Sequence, residues 1–450
     1  MTDAPTVTSL IDSINNAGGS LLDTRGEVRE GAGLADSIRS ELAALRLAGV
    51  GPASLVGWPA ASTAVSLLRE VACLSLGAVA VPLPADQLRR PPIPLDHAIG
   101  VGAGSRASRA GSQPQFTDLA NVKFSSGTTG PRKVVGATSA HVEHTWRGLN
   151  ALVSLGPDDT VLAVLEPHVW LQRTLVMLAL ARGSRVVLLH QPRALVAALR
   201  QHRPTVVYAV PSVLGALAEV AGSSGRPLAE LWGGRLRSLG TGSAACGSEV
   251  LAAYAEAGIP VHEGYGTSET GMIAKNKAGA SRTGTVGRPF EGVEILIVDG
   301  EVHVRCAALP AVRYLDGTPI PGRIDATLHR TGDLGSLDDD GYLSLSGRVD
   351  DLLGLRSGRK VSPVLLEEAL TLPPVRECAV FLAEGRLIVA VVSTGDLDPA
   401  TVRATVNERC RNLAESTELT VVVLGAEVQL PRNGSGKLQR ARLTDVLKRR

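Results

Sequence analysis

"SRVVLLHQPRALVAALRQHRPTVVYAVPSVLGALAEVA", residues 184–221, decides the fold class. Two short runs rich in Val, Leu and Tyr, "SRVVLL" and "PTVVYAVP", are each followed by a segment of helical length and spacing, "ALVAALRQ" and "SVLGALAEVA". Strands separated by helix-length segments predict βαβ units and a largely parallel sheet. The same alternation runs through most of the chain, whose 450 residues exceed what one hydrophobic core organises. After residue 330 the texture changes. "LDDDGYLSLSGRVDD" reads as an acidic turn, a short alternating strand and a polar turn. Beyond it, "VSPVLLEEALTLPPVRECAVFLAEGRLIVAVV" predicts a helix and two strands, and "ATVNERCRNLA" another helix. The expected fold class is therefore α/β, a large N-terminal domain of residues 1–349 with mostly parallel sheets flanked by helices. A small α+β domain of residues 350–450 follows, with the boundary at Asp350.

Composition narrows the function. An apolar fraction of 44% supplies ample core, and 46 basic against 44 acidic residues give no polyelectrolyte character, which argues against a nucleic-acid partner. The five cysteines are scattered and form no C-x-x-C pair, so a disulfide framework or zinc site is not expected. The N-terminus "MTDAPTVTSLIDSINN" lacks the basic-then-apolar pattern of a secretory signal, and stretches such as "LSLGAVAVPLPA" are broken by Gly and Pro. These features predict a soluble, cytoplasmic protein with no membrane partner, either a monomer or a homodimer. The tract from Arg89 to Gln115 reads as an irregular connector, and its "GVGAGS" lacks the strand and helix of a dinucleotide fingerprint.

Four stretches carry candidate chemistry. "KFSSGTTGPRK", residues 123–133, follows a strand-like "NVKF". Gly127 and Gly130 let backbone N–H groups approach an anion, Ser125, Ser126, Thr128 and Thr129 offer hydroxyls, and Arg132 and Lys133 add positive charge. It is not a Walker loop, and neither is "PRNGSGKLQR", where Pro431 and Leu438 break that pattern. In "HEGYGTSET", Tyr265 between Gly264 and Gly266 can lay a ring on a flat ligand, and Glu269 is a hard oxygen ligand suited to Mg²⁺. In "HRTGDLGS", Asp333 can accept both hydroxyls of a ribose, and Arg348 can pair with a phosphate. Taken singly, each also reads as a packed tyrosine, a surface carboxylate, an ordinary ion pair or a solvated turn.

In order and spacing, "FSSGTTGPRK", "GYGTSE", "RTGDLGSLDDDGYLSLSGRVDD" and "LPRNGSGKLQR" together resemble the signature loops of the adenylate-forming superfamily: acyl-CoA synthetases, peptide-synthetase adenylation domains and luciferase. "LSLGAVAVPLPAD", "PTVVYAVPSVL", "LRSLGTGSA" and "GTVGRPFEGVEILIVD" agree, so the resemblance runs from about Leu42 to the C-terminus. It implies a large N-terminal domain, a small mobile C-terminal one, and ATP-dependent conversion of a carboxylic acid to an acyl-adenylate with loss of pyrophosphate. Carried over, Ser125, Ser126, Gly127, Thr128, Thr129, Gly130 and Lys133 would hold the β- and γ-phosphates, with Gly242 and Ser243 also contributing to the nucleotide site. Tyr265 and Gly266 would meet adenine, and Ser268, where the family usually has Thr, the α-phosphate. Glu269 would bind Mg²⁺, Asp333 and Arg348 would take the ribose, Lys437 would be the catalytic lysine and Asp350 the hinge. His168, Trp170 and Gly264 would line the acid pocket.

The departures bear on substrate and acceptor. Arg132 and Val134 stand where the family commonly has Pro and Gly, and "LLGLRSGRKVSP" resembles the longer hinge-following loop of some fatty-acyl members. "VLEPHVW" lacks the Phe-Asp of α-amino-acid activators, and Glu263 stands where Gln or Asn is commoner. An aryl or medium-sized acid fits "HVWLQRTL", "GTGSAAC" and "EGYG" best, with coenzyme A or a carrier protein as acceptor. Two alternatives stay open: a ligase with a non-thiol acceptor (amide-forming, or diazo-forming with ATP and nitrite on an aryl amine), and a non-catalytic nucleotide-binding homologue.

Overall fold

The structure, a computed structural model, describes residues 4–24, 26–85, 87–100, 119–124, 134–306, 312–314, 328–355, 360–371, 375–383, 386–393, 398–414, 419–425, 427–432 and 438–443. The chain divides into two compact units, one of Met1–Glu294 and Val304–His329, the other of Ile295–His303 and Arg330–Arg450. This division falls earlier than residue 350 for a local reason. Ser362 caps the helix Pro363–Leu370 and its hydroxyl donates to the Ser346 carbonyl, tying the strand Leu343–Arg348 to the helix that follows it.

The first unit holds two sheets. In the nine-stranded one, six parallel strands run side by side in the order Val261–Thr267, Ser238–Thr241, Val206–Ala209, Thr160–Ala163, Arg185–Leu188 and Ser20–Asp23. Antiparallel strands finish both edges, Gly271–Lys275 and Arg288–Pro289 at one and Val28–Glu30 at the other. The βαβ units expected from residues 184–221 are present, with helices Leu195–His202 and Pro211–Ser224 after their strands. A six-stranded sheet, Val312–Tyr314, Val134–Thr138, Leu119–Phe124, Val79–Leu83, Leu55–Pro59 and His97–Ala98, is of mixed direction.

The helix Trp170–Ala181, "WLQRTLVMLALA", is buried at every position after Trp170. A helix apolar on all sides has no solvent face, so it is enclosed on all sides by core; Val176, Met177 and Leu178 share that core with Trp146 and with Ala120 and Val161 of the two sheets. Of its three polar residues, Thr174 donates to the Trp170 carbonyl at 2.7 Å within the helix, whereas Gln172 and Arg173 need partners elsewhere in the core. The second unit holds most of a four-stranded sheet ending in the hairpin His329–Leu337 and Leu343–Arg348, and a three-stranded sheet, Val375–Ala383, Arg386–Ser393 and Leu419–Leu424. The last strand pairs parallel and was not read from the sequence. The described cysteines Cys73, Cys246, Cys306 and Cys378 are buried. No helix among the described residues is long and apolar enough to cross a membrane.

Candidate active site

In the first unit the strand Leu119–Phe124 lies antiparallel to Val134–Thr138, with Phe124 opposite Val134. Ser125, Ser126, Gly127, Thr128, Thr129, Gly130 and Lys133, between them, lie outside the described residues, as does Lys437. Just ahead of that stretch is Lys123, 2% exposed, its Nζ 2.7 Å from His141 Nε2 and 4.6 Å from the centre of the Trp170 ring. Burial, and next the charge of Arg173, pull its pKa down to about 7, while Glu269 pulls it up. The strand that enters the Ser/Thr/Gly loop, the proposed pocket residue Trp170 and the field of Glu269 thus converge on one buried amine. Sequence alone does not mark Lys123, because a lone lysine near the end of a strand usually reaches water. His168, on the loop before Trp170, places Nδ1 3.4 Å from Glu166.

The strand Val261–Thr267 turns back through residues 268–270 into Gly271–Lys275. Thr267 and Thr270 exchange bonds, the Thr267 N–H donating to Thr270 Oγ1 (3.2 Å) and the Thr270 N–H to Thr267 Oγ1 (3.1 Å). Ser268 and Glu269, both half-buried, are held at the tip of this turn. A Cβ on Gly266 would collide with the Gly271 carbonyl, so the second glycine of "GYG" is a packing requirement. Tyr265 is 8% exposed. On the adjacent strand end a Cβ on Gly242 would strike Tyr208 Oη, and Ser243 takes φ 70°, a left-handed conformation uncommon outside glycine and characteristic of constrained loops. Beneath Gly240 and Gly264 lies a second buried lysine, Lys275, 5.4 Å from the Tyr208 ring centre, its pKa pulled down by burial to about 8. Among the described residues no group of three or more His, Cys, Asp or Glu side chains is placed to hold a metal. A single half-buried carboxylate such as Glu269 nonetheless fits Mg²⁺, which takes one or two protein carboxylates and completes its shell with phosphate and water.

In the second unit Asp333 stands directly opposite Arg348 across the hairpin, with Arg348 Nη1 donating to Asp333 Oδ1 at 2.8 Å. Gly332 at φ 73° and the Val349 N–H donating to the Gly332 carbonyl fix the local backbone, and Asp350 is exposed just beyond. Arg432 and Leu438, the described residues flanking Lys437, pair in an antiparallel bridge, and the Gln439 N–H donates to the Pro431 carbonyl at 2.7 Å. Two arginines anchor this stem. Arg440 Nη2 lies 2.5 Å from Glu367 and Arg432 Nη2 2.5 Å from Glu377. Burial, the larger influence, pushes the Glu367 carboxyl up to about 7 against the pull of Arg440 and the Val380 N–H. A raised folded-state pKa means that the folded state holds the proton more tightly. Its stabilising contribution is complete below pH 4.5 and is lost as pH rises through 7. Glu367→Gln is therefore expected to flatten the fall in unfolding free energy between pH 5 and pH 7.5, read from urea midpoints; an unchanged slope would remove Glu367 as its source.

The site residues thus form two groups, one in each unit. The family described as "AMP-binding enzyme" matches residues 94–307. The "Long-chain-fatty-acid–CoA ligase FadD15" of Mycobacterium bovis is 26% identical over 328 residues, 62% of this chain and 55% of its own length, so the chain spans about half of that relative. The "Probable 2-succinylbenzoate–CoA ligase" of Mycobacterium tuberculosis is 31% identical over 371 residues, 78% of this chain and 89% of its own. Among solved structures, the amide bond synthetase McbA from Marinactinospora thermotolerans is similar with a TM-score of 0.79 at 25% identity, over 98% of this chain and 99% of that one. With the succinylbenzoate ligase matched over most of its length, and with mixed α/β units carrying the signature loops, the chain belongs to the adenylate-forming superfamily of AMP-binding enzymes.

Proposed function

We propose that the protein activates an aryl or medium-sized carboxylic acid with ATP as an acyl-adenylate, releases pyrophosphate, and passes the acyl group to the thiol of coenzyme A or of a carrier protein. The observation that carries this reading is the braced turn at Thr267–Thr270, which holds Ser268 and Glu269 at its tip, with Glu269 in the field of Lys123. In the first half-reaction an oxygen of the acid bonds to the α-phosphorus of ATP as the bond to the pyrophosphate oxygen breaks. Lys437 donates to the carboxylate and α-phosphate oxygens as charge concentrates there, with Ser268 beside them. Asp333 accepts from the ribose hydroxyls, its carboxylate held in place by Arg348. Mg²⁺, when bound at Glu269, supplies counter-charge to the phosphates. In the second half-reaction the acceptor atom bonds to the acyl carbon, AMP leaves, and the acceptor's proton is released.

The succinylbenzoate ligase supports an aryl acid and a coenzyme A acceptor. The likeness to an amide bond synthetase supports a second reading with the same activation and an amine as acceptor. A pyrophosphate-release screen over aryl and alkyl acids, with and without nitrite, tests the activation step. Acid-dependent release is expected, and Asp333→Asn is expected to raise the KM for ATP roughly tenfold or more, the cost of charge-assisted hydrogen bonds. Failure of every acid in the panel to elicit release would favour the non-catalytic nucleotide-binding homologue. Mass analysis of products formed with coenzyme A, a carrier protein or amines then separates the acceptors.

A further inference from the structure

Within the first unit a cavity of about 40 Å³ opens where the helix Ala64–Ser75 begins, enough for about three water-sized groups. Its wall includes the apolar Leu67, Pro82 and Val176, the hydroxyl residues Ser62, Thr63 and Ser66 at the start of that helix, and Gln172, Arg173 and Glu70. Gln172, Arg173 and Glu70 are each more than nine-tenths buried. The Leu165 N–H donates to Gln172 Oε1 at 3.0 Å, which fixes the amide orientation and leaves Nε2 as a donor with no acceptor. Arg173 spends Nη1 on Glu70 at 2.6 Å and Nη2 on the Val122 carbonyl at 3.2 Å, and its Nε also has no acceptor. Two buried donors without acceptors, both on residues lining one cavity, are an arrangement that native interiors avoid unless something completes it.

We propose that this cavity is the subsite for the end of the acid remote from its carboxyl group, where Gln172 and Arg173 select acids carrying a neutral hydrogen-bond acceptor such as a ketone, ester or ether oxygen. The inference rests on the acid-activating reading above. Position supports it. Leu165 and Pro167 of the cavity wall belong to the segment that carries His168 and Trp170, and Gln172 follows Trp170 on the first turn of the same helix. Electrostatics sets the class of group. Glu70 already neutralises Arg173, so a second anion would meet a carboxylate, whereas a neutral oxygen satisfies the donors without adding charge. The apolar part of the wall suits the carbon that bears that oxygen.

Matched acids test it: 3- and 4-acetylbenzoate against 3- and 4-isopropylbenzoate, nearly equal in shape and differing in the acceptor. Binding to the full chain is measured by calorimetry with a non-hydrolysable ATP analogue present. A donor left unpaired in a buried site costs about 1–3 kcal/mol, so one of the acetyl acids is expected to bind roughly tenfold or more tightly than its isopropyl counterpart. Gln172→Leu is expected to reduce that preference to about threefold or less. Gln172→Glu, which keeps the acceptor for the Leu165 N–H, serves the same end if the leucine variant fails to fold. Equal binding of each pair by the wild type, a preference untouched by both variants, or no binding of any of the four acids overturns the inference. Pyrophosphate release separates its failure from that of the activity: release with other acids but no acetyl preference leaves activation standing, whereas an acetyl preference without release of pyrophosphate leaves the subsite standing.

Discussion

Lys437→Ala is expected to slow acid-dependent pyrophosphate release by about a hundredfold or more, and to leave transfer from a supplied acyl-adenylate to the acceptor within a few-fold of wild type. The magnitude follows from what one donor aimed at developing charge contributes, about 2.7–4 kcal/mol. The asymmetry follows from where charge develops. In the first half-reaction negative charge gathers on the carboxylate and α-phosphate oxygens that Lys437 would meet, whereas in the second the bonds made and broken are at the acyl carbon. The stem is expected to survive the substitution, because Arg432, Leu438 and Arg440 are held by the backbone bridge and by Glu377 and Glu367 rather than by Lys437. Unfolding midpoints should accordingly match the wild type. Pyrophosphate release at the wild-type rate, or equal loss in both half-reactions, would remove Lys437 from the role the resemblance gives it.

What the sequence made legible follows from the range over which each signal acts. The strands at Arg185–Leu188 and Val206–Ala209 and the helices between them are local patterns of period two and period 3.6, and residues 184–221 carried them without help from the rest of the chain. The acidic turn and the strand after it were legible for the same reason, but the pairing that sets Asp333 opposite Arg348 was not, because register with a preceding strand is not a local pattern. Lys123 and Lys275 were not legible. Lys123 is next to last in its strand and Lys275 ends its own, where a lysine ordinarily reaches solvent, and only the helices and rings packed over them, bearing His141 and Trp170 in one case and the Tyr208 ring in the other, bury their amines. The antiparallel strands Gly271–Lys275 and Arg288–Pro289 at the edge of a parallel sheet were missed because an edge is defined by what fails to pair, which is a property of the whole sheet. Glu70 and Arg173 lie 103 positions apart and each, read alone, is an ordinary charged residue on a helix.

Arg173→Met is expected to lower the unfolding free energy by about 3–5 kcal/mol, the usual consequence of stranding one member of a buried ion pair. Glu70 is 1% exposed, and its carboxyl is already pushed up by burial even with Arg173 beside it; without that guanidinium it has no counter-charge left to favour ionisation. The stranded acid is then protonated in the folded state over a wider range, so stability of the variant falls as pH rises through neutrality, and the deficit measured by urea unfolding should be larger at pH 8 than at pH 5. Removing both charges distinguishes this account from simple loss of packing. Glu70→Leu with Arg173→Met replaces the pair by apolar groups of similar size and should recover most of the deficit, since apolar replacements of buried pairs are commonly neutral or stabilising. The recovered fold is still expected to differ at the strand Leu119–Phe124, because the Val122 carbonyl loses the Arg173 Nη2 donor just before the Ser/Thr/Gly loop. Raised KM for ATP in a stable double variant would trace that bond's influence on the loop. A double variant no more stable than Arg173→Met alone would show that shape, and not charge, is what Arg173 contributes to the core.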